Sequence, residues 1–203
     1  MEKERDRIEL RFSGVGGQGV ILAGAILADA AVLYDQKYAI QSPTYTAQVR
    51  GGATKVDVVI SEKPIHFPQT KSINFFMALA QRSFDRYYAA NNYNNRFFRD
   101  LAPDALLLVD SNLVPNIGNP PHRIIRIPII DLALKEMGRT IYSNVIGLGI
   151  VVDLLKVVTQ EALVSAVKRR APKGTEENNL KALDIGFKFA REFMEKEKID
   201  VSL

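Results

Sequence analysis

The chain has 203 residues, a formal net charge of +4, 47% apolar and 25% charged residues, and no cysteine. That length and composition suit one large globular domain, without the long charged blocks or low-complexity tracts of a disordered protein. The missing cysteines exclude disulfides, thiolate nucleophiles and thiolate-held iron–sulfur clusters within the chain. The basic residues are spread along the chain and not gathered into the stripe that nucleic acid would select, so no nucleic-acid partner is expected. The segment from Met1 to Arg11 has no signal-peptide apolar core, and the longest apolar run, Val20 to Tyr34, is too short for a bilayer and carries Asp29. A cytoplasmic protein without membrane contact is expected.

Ile8 to Phe12 alternates apolar and polar residues and stops at Ser13-Gly14, which predicts a strand ending in a turn. Val20 to Tyr34 is apolar nearly all round, so a helix there needs cover on more than one side. Lys37 to Gln41 predicts a second strand closed by Ser42-Pro43. Ala53 to Ser61, rich in β-branched residues and entered from Gly51-Gly52, predicts a third, with an antiparallel excursion over Gly51 to Phe67. Asn74 to Ala80 has strand length, Gln81 to Ala90 and Phe97 to Leu101 look helical, and Asn91 to Asn95 reads as a solvated loop. Ala105 to Val109 predicts a buried strand ending on Asp110, and Arg123 to Ile127 another strand.

The last third is helical. Asp131 to Met137 stops at Gly138, a suitable left-handed terminator. Ser143 or Asn144 can cap a helix running to Val158, Thr159 can cap Gln160 to Arg170, and Glu176 to Lys198 carries an apolar stripe at helical spacing. Strands alternating with helices in the first two-thirds predict a three-layer, Rossmann-like α/β domain: a mostly parallel sheet with helices on both faces, a helical C-terminal third, and a single domain over residues 1–203.

Gly14-Val15-Gly16-Gly17-Gln18-Gly19 fits Gly-x-Gly-x-x-Gly between a predicted strand and a predicted helix. In that setting glycines let the backbone turn and approach a ligand, and the N–H groups and dipole of the helix start favour an anion. The same residues could serve only as a tight turn. A dinucleotide site also needs an acid at the end of the second strand. That strand ends in Gln41-Ser42-Pro43, and Asp35 lies before it, which counts against NAD. Arg50 beside Gly51-Gly52 offers a guanidinium and free amides to a phosphate or carboxylate, or else is a hairpin turn with an exposed arginine. His66 and His122 lack metal-ligand spacing. Asp110 is better placed to accept turn N–H groups than to act as a catalytic acid.

The stretch Gly14-Val-Gly-Gly-Gln-Gly-Val20 resembles the opening of the gamma subunit of 2-oxoacid:ferredoxin oxidoreductases, enzymes of the pyruvate, 2-oxoglutarate, 2-ketoisovalerate, indolepyruvate or phenylglyoxylate type. The resemblance continues in order through Arg50-Gly51-Gly52, Val56 to Ser61, Ala78 to Tyr87, Leu106 to Val114, Asn144 to Gly149 and Asn179 to Gly186. One departure is Tyr45-Thr46-Ala47-Gln48-Val49 where the family often has Tyr-Gly-Pro-Glu. Loss of that glutamate argues against an acid–base role of the loop and is compatible with an aryl or branched 2-oxoacid, although no one substrate follows.

The resemblance implies a complex that oxidatively decarboxylates a 2-oxoacid to an acyl-CoA and passes electrons to ferredoxin or another acceptor. Thiamine diphosphate and iron–sulfur clusters would sit in alpha-, beta- and delta-type partner subunits, and this chain would be inactive alone. It further implies that the chain helps to bind coenzyme A, with Gly14, Val15, Gly16, Gly17, Gln18, Gly19, Arg50 and Gly51 as contacts and no catalytic or metal-binding residue. A role in assembly would use the apolar runs Val20 to Leu33 and Val145 to Val152 as interfaces, unless they are core. The alternatives from the residues alone are a stand-alone NAD or FAD oxidoreductase and an anion-binding regulatory module.

Overall fold

Side-chain alternation along the first strand sorts the molecule into layers. In β1 (Arg7–Val15), Leu10 and Phe12 face one side of the sheet, and Glu9, Arg11 and Ser13 face the other, because successive strand residues point opposite ways. The computed structural model describes residues 6–44, 51–88 and 100–197. Six strands form one sheet in the order β2-β3-β1-β4-β5-β6, the others being β2 (Tyr38–Thr44), β3 (Ala53–Ser61), β4 (Ile73–Ala78), β5 (Leu101–Asp110) and β6 (Arg123–Ile127). β1, β4, β5 and β6 pair in parallel, whereas β3 runs antiparallel to both β1 and β2. The sheet is thus mostly parallel, with the antiparallel excursion where the sequence places it.

The Leu10 face carries the larger core. Phe12, Val56, Val58, Met77 and Leu108 pack there under α1 (Val20–Asp29), α3 (Ile129–Met137), α4 (Ser143–Leu155), α5 (Gln160–Arg170) and α6 (Glu176–Glu197). The opposite face buries Phe76, Ala78, Leu107 and Val109 under Phe84 and Tyr87 of α2 (Gln81–Tyr87). Helices therefore lie on both faces, in a lopsided three-layer arrangement. All thirteen residues of α4 are buried. The Val145 to Val152 run is accordingly core of this chain and not an interface. Of the Val20 to Leu33 run, Leu22, Val32 and Leu33 stay 41–45% exposed.

Several boundaries differ from the sequence reading. The first helix is α-helical only to Asp29 and continues as a π-helical turn, Ala30–Tyr34. β2 runs on to Thr44, because an edge strand tolerates Pro43 and its missing N–H. β5 begins at Leu101, which is strand and not the end of a helix. Residues 97–99, like the asparagine-rich loop at 91–95, lie outside the described residues.

Ser143 and Asn144 are the first residues inside α4, not its cap. A 3-10 turn, Thr140–Tyr142, leads directly into the helix. α4 also stops at Leu155, since Lys156 turns left-handed (φ 53°) and Val157-Val158 must reach the next cap. Thr159 is that cap, accepting the Ala162 N–H at 3.1 Å, and Gly138 terminates α3 as expected.

Candidate functional site

The glycine loop is a turn that glycine alone fits well. It joins the end of β1 at Val15 to the start of α1 at Val20. Gly17 and Gly19 adopt φ of 98° and 69°, the left-handed region that other residues rarely enter. At Gly14 a Cβ would lie 2.6 Å from Gln18 Oε1. No side chain caps α1, so its first N–H groups have no partner within the helix and stand behind the exposed Gly16 and Gly17.

The two loops singled out in the sequence meet in space. Gly16 N–H donates to Gly52 O at 3.1 Å, which brings the turn at the start of β3 against the glycine loop. Gly51 is exposed there with φ 68°. Arg82 of α2 donates through Nη1 to Gly51 O at 3.1 Å and adds a cation that no local pattern singles out. Arg50 lies outside the described residues, next to Gly51.

β1 and β4 are parallel neighbours, but α1 leaves β1 over one face and α2 leaves β4 over the other. Their loops diverge at the C-terminal strand ends, the topological switch point where open α/β sheets bind ligands. Gln18 spans this crevice. Its Oε1 accepts the Val15 N–H at 2.8 Å and its Nε2 donates to Leu79 O at 2.9 Å. Both ends of the amide thus fasten the loop to the sheet.

Asn144, at the start of α4, lies against Gly19, with Nδ2 3.4 Å from Gly19 O. In the sequence it stands out as a candidate helix cap and as the first residue of the family-like Asn144 to Gly149 segment, not as a partner of the glycine loop. The one visible signal was a polar residue at the head of an otherwise apolar segment.

The other polar candidates have structural partners. Asp35, the acid at dinucleotide spacing, accepts both the Thr159 N–H and the Thr159 hydroxyl at 2.6 Å. Asp110 accepts the N–H groups of Asn112, Leu113 and Ile130 at 2.9–3.0 Å, the turn role expected of it. His66 is exposed. His122 is half-buried: Nδ1 is 2.8 Å from the Tyr88 hydroxyl and Nε2 3.1 Å from Ala102 O. Burial pushes the His122 pKa down and the Tyr88 pKa up. The bonding fits a neutral ring with its proton on Nε2, donating to the carbonyl and accepting the phenolic O–H. No group of three His, Asp or Glu side chains among the described residues could hold a metal ion.

A buried ionic cluster lies on the same face as α2, apart from the glycine loop. Arg11 donates to Asp57 across the β1–β3 pair at 2.7 and 3.0 Å, Lys55 bonds the same carboxylate, and Thr70 Oγ1 donates to it at 3.3 Å. These four residues, with Ser42, Thr44, Gln69 and Asp100, line a cavity of about 440 Å³. Burial raises the Asp57 pKa, but the bond and charge of Arg11 and the ammonium of Lys55 outweigh it and hold the group below its ordinary value. Burial, then the Arg11 charge, lower that of Lys55.

Parallel strands, a glycine turn into an uncapped helix, and a crevice at the switch point define a Rossmann-like α/β domain. The model of the family described as pyruvate ferredoxin/flavodoxin oxidoreductase matches residues 9–189, and the chain belongs to that family, as a gamma-type subunit of the 2-oxoacid:ferredoxin oxidoreductases. Its relatives include the 2-oxoglutarate synthase subunit KorC of Methanocaldococcus jannaschii, 38% identical over 95% of this chain and 100% of that one. Among solved structures, the gamma subunit of a keto/oxoacid ferredoxin oxidoreductase from Geobacter sulfurreducens superposes with a TM-score of 0.79 at 40% identity, over 93% of this chain and 98% of that chain. The 2-oxoglutarate:ferredoxin oxidoreductase of Magnetococcus marinus shares the fold at TM-score 0.77 and 19% identity, over 93% of this chain and 32% of that one. No helix among the described residues is long and apolar enough to cross a membrane.

Proposed function

We propose that this subunit supplies the coenzyme A phosphate site of a cytoplasmic 2-oxoacid:ferredoxin oxidoreductase. The complex oxidises a 2-oxoacid to its acyl-CoA with loss of carbon dioxide and passes the electrons to ferredoxin. Alpha-, beta- and delta-type sister subunits hold the thiamine diphosphate and the iron–sulfur clusters. Thiamine diphosphate supplies the decarboxylation chemistry, and this chain's residues bind and orient the acyl acceptor.

The observation that carries the reading is the convergence of Gly16 and Gly17, the uncapped start of α1, and Gly51 at the switch-point crevice. Such a site presents backbone N–H groups to a pyrophosphate. Coenzyme A brings a pyrophosphate and a 3′-phosphate but makes no demand for the ribose-binding acid of an NAD site. Engagement of Asp35 with Thr159 supports that choice. So does the Magnetococcus enzyme of the same fold, which has coenzyme A and succinyl-CoA bound. Gly14, Val15 and Gly19 shape the loop, Gln18 clamps it, and Arg50 beside Gly51 contributes a guanidinium to the phosphates. The KorC relatives make 2-oxoglutarate the first substrate to assay.

Gly16 offers the direct test. A Cβ there has an ordinary contact, 3.7 Å from Gly51 N, so Gly16→Asp fits the fold while placing a carboxylate among the N–H donors. In the reconstituted complex we expect the apparent KM for coenzyme A to rise by about tenfold or more, equivalent to at least ~1.4 kcal/mol of lost anion binding. Arg50→Ala should raise it several-fold. Unchanged coenzyme A kinetics in both variants would sink the assignment.

A further inference from the structure

We propose that Asn144 is a positioning residue for coenzyme A, holding Gly19 in the left-handed conformation that turns the N-terminal amides of α1 toward the phosphates. The inference rests on the reading of the glycine loop as the coenzyme A site.

Gly19 O is the pivot of the turn. It accepts the Ala23 N–H at 3.0 Å, which closes the first turn of α1, and it faces Asn144 Nδ2 at 3.4 Å. A Cβ on Gly19 would lie 2.6 Å from that same Nδ2, so the amide occupies the space a side chain at position 19 would need. Asn144 is only 5% exposed, in a helix whose other buried residues are nearly all apolar. A buried amide is costly unless it is bonded, and this one makes its bond to the ligand loop.

Its own mount is stiff. α4 crosses α6 at Gly149 and Gly186 so closely that a Cβ on Gly149 would be 2.7 Å from Leu183 O, and one on Gly186 2.3 Å from Ile146 O. The chain of contacts therefore runs from α6 through α4 and Asn144 to Gly19 and α1. α4 begins at this contact, so a neutral amide at position 144 adds no charge beside the loop, whereas a carboxylate would.

The test is made in the complete complex, by following ferredoxin reduction against coenzyme A and, separately, against the 2-oxoacid. Asn144→Asp keeps the shape of the side chain, removes the donor to Gly19 O and adds charge beside the anion. Its apparent KM for coenzyme A should rise by about tenfold with the KM for the 2-oxoacid little changed, while the carboxylate buried against Gly19 O lowers the thermal midpoint of the complex. Should it fail to enter the complex, Asn144→Ser carries the same expectation at about threefold, the loss of one neutral hydrogen bond.

A general loss of turnover and thermal stability without a shift specific to coenzyme A would make Asn144 merely structural and overturn the proposal. So would a normal KM for coenzyme A in Asn144→Asp while Gly16→Asp raises it, a result that leaves the loop assignment standing. If both variants leave the KM for coenzyme A normal, the loop assignment fails and the role of Asn144 fails with it.

Discussion

Asp57 takes hydrogen bonds from Arg11, Lys55 and Thr70 inside the sheet, and its removal would leave two buried cations without their shared carboxylate. Losing one member of such a cluster typically costs about 3–5 kcal/mol, mostly as the penalty of the charge left behind. Asp57→Asn should lower the urea midpoint of unfolding by a corresponding amount at neutral pH.

The pH dependence has a fixed sign. The folded-state pKa of Asp57 lies below the ordinary 3.8 because its cationic partners outweigh burial. The folded protein therefore binds fewer protons there than the unfolded chain, and the stabilisation is fully present above that ordinary value. It is lost as pH falls through the folded-state value. Urea midpoints measured below about pH 4 should converge for the wild type and Asp57→Asn. A gap that stays constant with acidity would contradict this account.

At this scale the sequence was legible where conformation decides. The glycines of 14–19 and Gly51 announce tight turns, and Asp110 at a strand end announces a turn acceptor. It was silent where a partner decides. Nothing local to Gln18 says that its amide bonds Leu79, sixty-one positions away.

Gly149 and Gly186 join α4 to α6 by backbone contact, an arrangement that hydrophobic periodicity cannot reveal because glycine adds nothing to an apolar stripe. Gly186→Ala would force its Cβ against the Ile146 carbonyl and push the helices apart. Overpacking of this kind costs about 1–3 kcal/mol or more, since main chain and not a flexible side chain must move. We expect thermal melting to show a clear loss of stability. The KM for coenzyme A should rise with it, because α4 carries Asn144 to the loop. A purely thermal effect would detach the helix pair from the site.

The strands were the more readable elements. β3 and the centre of β5 stand out as β-branched or aliphatic runs bounded by turns. Helix ends were less so. Val157 and Val158 read as continuous with α4, and only the left-handed Lys156 and the cap at Thr159 separate them. Capping geometry of that sort depends on where the chain must go next.

As a whole molecule, the subunit joins a glycine-rich strand-to-helix loop to a scaffold without cysteine. With no cysteine in the chain, it has no thiolate to ligate a cluster. The isolated chain should neither oxidise a 2-oxoacid nor reduce ferredoxin, and adding the sister subunits should restore both rates. Turnover by the purified chain alone would refute this division of labour.

The central place of β1 also has a consequence for synthesis. It precedes every other described strand in sequence, yet it sits between β3 and β4 and is roofed by helices from later in the chain. Until residue 78 has emerged, its parallel edge has no partner, and until α4 arrives Leu10 and Phe12 have no complete cover. Such non-local pairing is slow and leaves apolar surface exposed meanwhile. The glycine loop shares that delay, since its bonds reach Gly52, Leu79 and Asn144, all far downstream of it.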